Sequence, residues 1–231
     1  MGRHAKGREK MKRAFFLLVP CLLVFVAQSS LAGAIKARHS VELKDAAGDV
    51  EGDGKGPGKD VVKVSINSDG KNLRVKAVLK DEISHYLTKG LAGDVIVLHF
   101  DTDNNPKTGG KLFWSKSTGF EYKVGLRACI KYQDGGMACG GGLKGSEPSE
   151  FVSGYNTEKY EQGKTSSKGI HDVFWISKSP HETIKGRDVG ITFPYSEIGA
   201  ASGQTVRVVI EEQDSTYDEK RYFPEVLLTL K

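Results

Sequence analysis

Fifteen consecutive residues, Gly119–Gln133 (GFEYKVGLRACIKYQ), alternate without a break between two kinds of side chain. Phe120, Tyr122, Val124, Leu126, Ala128, Ile130 and Tyr132 fall on one side and mainly polar residues on the other. A period of two is the signature of an extended strand with one face against a core, because successive Cβ atoms point to opposite faces. No helix can bury that set on a single stripe. The next three residues, Asp134-Gly135-Gly136, are a turn signal, so the strand is expected to fold back on itself there.

The same pattern recurs along the chain. Val62, Val64 and Ile66 alternate in one segment, and Leu73, Val75, Ala77 and Leu79 in the next. Asn67–Asn72 between them reads as a hairpin loop. Asp94–Asp101 (DVIVLHFD) is almost continuously apolar and is expected to be a central strand. Further strands are expected near Phe151, Phe174, Ile191, Val208 and Leu227. Two short helical turns are expected, in Asp81–Gly90 and just after Pro194. Gly140–Glu150 and Asn156–Gly169 read as loops. Many short strands joined by Gly-rich turns predict an all-β fold, an antiparallel β-sandwich of immunoglobulin-like or jelly-roll-like type. At 38% hydrophobic and 27% charged residues the chain has enough apolar content for a core, which excludes disorder for most of it.

The amino terminus has a different grammar. Six of the 34 bases and one of the 29 acids lie in residues 1–13, leaving 28 of each in the rest of the chain. The body is therefore neutral and carries no basic footprint for nucleic acid. The apolar run Ala14–Ala27 follows, and then the small residues of Ser29–Ala34. Basic, apolar and small-residue regions in that order read as a secretory signal peptide, residues 1–32, ahead of one domain, 33–231. The run is 14 residues long and contains Pro20, against about 20 residues for a membrane span. An uncleaved anchor is the other reading, and a lipid anchor at Cys21 is rejected for want of a small residue before it. Export implies a secreted or periplasmic protein without a membrane span after cleavage. The domain then keeps two cysteines, Cys129 and Cys139, in an oxidising compartment. Folding the hairpin about Asp134 sets them opposite each other, within disulfide reach.

Chemistry concentrates at the end of the central strand. Asp101, Asp103 and Asn105 place side-chain oxygens at alternate positions of Asp101–Gly110 (DTDNNPKTGG), and Glu121 is the nearest outside carboxylate. Hard oxygen ligands suit Ca2+. The EF-hand pattern fails, since Pro106 and Leu112 stand where it needs Gly and Glu. Asp and Asn are also ordinary turn formers, which is the competing reading. Asp45, Asp49 and Asp53 form a second acidic segment that either adds a ligand or is a solvated loop.

Together, Asp45–Gly54 (DAAGDVEGDG), DVVKVSI, NLRVKAVL, FDTDNNPKTGG, GFEY and FPYSEIG resemble the secreted β-sandwich modules of the DOMON-like superfamily, which includes family-nine-type carbohydrate-binding modules. The resemblance implies a structural calcium, with Asp101, Asp103, Asn105 and Glu121 on the metal-site positions. It implies a binding module that recognises carbohydrate or a cell-envelope component. Trp114 is the candidate for stacking on a sugar ring, and Trp175 reads as core. Two alternatives remain: a secreted polysaccharide-acting hydrolase, and a haem-binding electron-transfer domain. No G-x-S-x-G, H-E-x-x-H or Gly-rich phosphate loop occurs, so no catalytic residue is nominated. Glu211 and Glu212 are neighbours on one strand and point to opposite faces. For haem, Met137 and the histidines form no clear ligand pair.

Overall fold

The structure, a computed structural model, describes residues 33–45, 60–87, 93–112, 117–139, 147–160, 162, 170–174, 182–212 and 221–231. The expected signal segment with Cys21, and Asp49, Asp53, Trp114 and Trp175, lie outside the described residues.

Two sheets, antiparallel except where Ile35–Arg38 pairs parallel with Val226–Thr229, pack face to face. The larger runs, edge to edge, through β1 (Ile35–Arg38), β16 (Val226–Thr229), β14 (Thr205–Glu212), β5 (Gly93–Asp101), β8 (Tyr122–Tyr132), β10 (Pro148–Tyr160) and β11 (Ile170–Phe174). Short strands β9 (Met137–Ala138), β12 (Glu182–Thr183) and β15 (Arg221–Tyr222) pair beside it. The smaller sheet is β13 (Asp188–Pro194), β4 (Asn72–Leu79), β3 (Val61–Ser68) and β2 (Ser40–Lys44). A separate hairpin, β6 (Gly110–Lys111) and β7 (Thr118–Phe120), follows the central strand β5. Helix α1 (Ile83–Leu87) and a 3-10 turn (Tyr195–Ile198) stand where the sequence predicts helical turns. No helix among the described residues is long and apolar enough to cross a membrane.

Alternation decides the layers. Ile96, Leu98 and Phe100 of β5, Val208 and Ile210 of β14, and Val124 and Leu126 of β8 face inward. They meet Val64, Ile66, Val75, Ile191 and Phe193 of the smaller sheet in one core. Phe193 spans the two sheets, edge-on to Phe100 at 6.2 Å and tilted against Tyr155 at 5.4 Å. Burying a Leu, Ile, Val or Phe side chain is worth about 1.5–3 kcal/mol each, so this layer dominates the stability of the domain. As expected, β5 is central, and the structure shows it buried on both faces.

The hairpin at Asp134 forms with the predicted register. Ile130 pairs with Ala138 and Lys131 with Met137, so Cys129 meets Cys139 and the two are disulfide-bonded, Cα atoms 4.3 Å apart.

Two expectations need correction. The alternation from Gly119 to Gln133 is not one strand: it breaks at Glu121. Phe120 consequently packs on the outer face of the larger sheet with Leu112, Tyr160 and Val209, while Tyr122 packs against the inner core. The cause is that β7 pairs with β6 instead of continuing β8, through Gly119 at φ +95°. Residues 156–160 and 148–150 are also strand, not loop. Asn156 and Glu158 face outward, and Glu158 pairs with Lys123 of β8 at 3.1 Å, so polar residues carry the strand where no apolar face marks it.

Candidate metal centre

The Asp101–Glu121 segment is pinned from several directions. Asp101 ends β5 and is fully buried. The loop after it turns on Asn104, at φ +54°, whose Nδ2 donates to the Thr205 carbonyl at 2.6 Å. Gly109, at φ +59°, lies so close to Phe120 that a Cβ would collide with the Phe120 carbonyl. Glu121 falls at the break between β7 and β8, where its N–H donates to Phe100 O and its carbonyl accepts from Tyr160 N, both at 2.9 Å. Beneath this segment sits the small outer cluster of Leu112, Phe120, Tyr160 and Val209.

These constraints bring three carboxylates together. One oxygen each from Asp101, Asp103 and Glu121 lie within 4.8 Å of one another. Asn105 joins differently from its sequence role: its backbone N–H donates to Asp103 Oδ1 (2.8 Å) and Asp101 Oδ1 (3.2 Å), while its own Oδ1 accepts from Lys107 N (3.1 Å). Thr102 donates to Glu121 Oε2 from its N–H (2.7 Å) and its hydroxyl (3.2 Å).

Two residues that sequence reasoning missed complete the centre. Thr108 Oγ1 lies within 2.8–3.0 Å of Asp103 Oδ1 and Oδ2, Glu121 Oε1 and the Asn105 carbonyl. A hydroxyl has one proton to donate, so it satisfies one of these four acceptors at a time. The site therefore holds more acceptor oxygens than donors. Arg207 is the second: Nε and Nη2 both donate to Asp101 Oδ2, at 2.9 and 2.6 Å. The same guanidinium donates to Thr118 O, reaches Glu225 Oε2 at 3.3 Å, and lies 4.7 Å from the Phe120 ring centroid. Neither signal was readable, because a Thr in a loop and an Arg at an outward strand position are commonplace.

The electrostatics follow. Burial pushes the Asp101 carboxyl above its ordinary range, even against the Arg207 hydrogen bonds and charge that lower it. Burial also raises Glu121, and the charges of Asp101 and Asp103 add to that shift. Three carboxylates, against one guanidinium that Asp101 shares with Glu225, leave a net negative charge in a partly desolvated oxygen-rich cluster. Such a set fits one hard divalent cation, with the carboxylate repulsion turned into attraction.

Asp45 does not join the three: its N–H extends the β2–β3 ladder to Val62 O at 3.0 Å. Among the described residues whose exposure is given, no Phe, Tyr or Trp is fully exposed, and Tyr122, Phe151 and Tyr222 are half-buried. Glu211 and Glu212 do point to opposite faces. Glu212 Oε1 accepts from Val61 N (2.8 Å) on the inner side. On the outer side His99 lies between Tyr160 OH, 2.6 Å from Nδ1, and Glu211 Oε2, 2.9 Å from Nε2. Burial holds the Tyr160 phenol well above its ordinary pKa, so it stays protonated, and the His99 tautomer sets the direction of the two hydrogen bonds. His99 and Glu211 are both buried, which makes this a packed polar floor.

Comparison with known proteins found no matching family model, no matching curated protein and no matching solved structure.

Proposed function

We propose that this protein is an exported, non-catalytic binding module, stabilised by a structural calcium ion at Asp101, Asp103 and Glu121, which recognises a glycan or another cell-envelope component. One observation carries the reading: oxygens of three carboxylates converge within 4.8 Å of one another, and the Thr108 hydroxyl beside Asp103 and Glu121 has one proton for both. Calcium is chosen over softer metals because every available donor is oxygen and neither His nor Cys belongs to the cluster. Thr108 Oγ1 is close enough to serve as a further oxygen ligand. The ion's task is to tie the end of the central strand to the β7–β8 break, and so to stiffen one end of the sandwich. The glycan part rests on the DOMON-like resemblance and on Trp114.

Calorimetric titration with Ca2+, Mg2+ and Zn2+ tests the ion. Calcium binding with one site per chain is expected, and absence of calcium binding at millimolar concentration would refute it. A glycan-binding screen run with calcium, beside an activity screen on the same polysaccharides, tests the rest. Binding without turnover is expected, and turnover would replace the module by a hydrolase.

A further inference from the structure

Strands β1 and β2 are one extended segment broken at a single residue. β1 lies parallel to β16 at the edge of the larger sheet, in register from Ile35↔Val226 to Arg38↔Thr229. β2 pairs antiparallel with β3 at the edge of the smaller sheet, from Ser40↔Asn67 to Lys44↔Lys63. His39 makes the crossing with φ +62°. Residues other than glycine are uncommon there; His tolerates the region better than most, and a β-branched residue is a genuine outlier in it. The crossing is stitched by its backbone: His39 N donates to Thr229 O at 2.9 Å, and His39 O accepts from Ser68 N at 2.7 Å and Ser68 Oγ at 3.1 Å.

β1 itself is lightly held. Ile35, Lys36 and Arg38 are exposed, and half-buried Ala37 is its contribution to the core. A four-residue edge strand joined by a one-residue, left-handed hinge has little keeping it on its own body.

We propose that β1 is an exchangeable strand, through which two copies of this chain pair by each laying Ile35–Arg38 along the other copy's β16. A second copy fits this edge because it brings the register and the Ala37 contact that the edge already accepts. In the exchanged form β1 and β2 run on as a single extended strand, and His39 leaves the left-handed region. Short hinges under strain favour exchange of this kind, because the β1–β16 and β2–β3 pairings are kept and the strain is lost, at the cost of hydrogen bonds at the hinge itself. The inference stands independently of the calcium reading.

Light scattering on a sizing column tests it, with the protein refolded at high concentration and Cys129–Cys139 intact. A dimer fraction is expected that falls several-fold in His39→Gly, where the hinge is relaxed, and rises in His39→Val, where it is tightened. Cysteines placed at the adjacent positions Lys36→Cys and Leu227→Cys should give a covalent dimer on a non-reducing gel. Monomer alone in all variants, equal dimer fractions across residue 39, or a cross-link that forms only within chains of the dimer would each overturn the proposal. Should His39→Val fail to fold, the comparison of wild type with His39→Gly and the cross-link still decide.

Discussion

Arg207 grips Asp101 by one oxygen. Nε and Nη2 both donate to Oδ2, at 2.9 and 2.6 Å, across the β5–β14 pair. Oδ1 is left facing the loop, with a 3.2 Å bond from Asn105 N as its contact there. The guanidinium thus neutralises part of a fully buried carboxylate without covering the oxygen that takes the Asn105 N–H.

The first prediction concerns the ion. Asp103 is exposed, so Asp103→Ala removes a proposed ligand without opening the core. Calcium at 100 times its dissociation constant should stabilise the wild type by about 2.7 kcal/mol. For a domain of this size that is a melting-temperature rise of roughly 5–10 °C. Asp103→Ala should lose most of the rise and keep its melting temperature in chelator. Equal melting temperatures of the wild type in calcium and chelator would return the loop to the status of a turn.

A second prediction follows from the raised carboxyls of Asp101 and Glu121. An acid whose pKa is raised on folding binds its proton more tightly in the folded state. Its charge therefore penalises folding above the folded pKa, and the penalty fades as pH falls toward the ordinary values of 3.8 and 4.5. A cation needs both groups ionised. The calcium-induced rise should be full above the folded pKa values and shrink as pH drops through them. Asp69 and Glu150 are shifted down by their hydrogen bonds and tilt the total stability the other way, so the difference between calcium and chelator is the quantity to follow. A difference constant from pH 7.5 to pH 4.5 contradicts the assignment.

Arg207→Met should be severe. It removes the partner of a buried charge and the contact with Phe120, and breaking a buried pair costs about 3–5 kcal/mol. Urea unfolding in chelator measures it. Calcium should restore part of the loss, since the ion offsets the same carboxylate. A loss below about 1 kcal/mol would mean that the pair is solvent-screened.

Thr157→Val should move stability the opposite way. Thr157 is fully buried in β10, and its Oγ1 has no hydrogen-bond partner among the described residues. An unsatisfied buried hydroxyl costs about 1–3 kcal/mol, and Val replaces it at nearly equal shape. A gain of about 1 kcal/mol in urea unfolding is expected, and a loss of similar size would reveal a bond to that hydroxyl.

Much of the sandwich was legible because its determinants are local. Alternation marked the inner face of β8, an apolar run marked β5, and Asp134-Gly135-Gly136 set the register that joins Cys129 to Cys139. Period and turn chemistry act over a few residues, so a one-dimensional string carries them in full. In the same way Asp101, Asp103 and Glu121 stood out within one short segment. What tertiary structure alone decided involves partners far apart in the chain. Arg207 reaches Asp101 across 106 residues and Glu211 reaches His99 across 112, through registers that only the packed sheets define. β1 and β2 were unmarked because their pairing depends on β16 and β3, not on their own weak pattern. Phe120 is the sharpest case: alternation put it with Tyr122, and the competing pairing of β7 with β6 turned it to the other face. Local pattern determines which residues are extended; which face meets which is set by burial summed over the whole molecule.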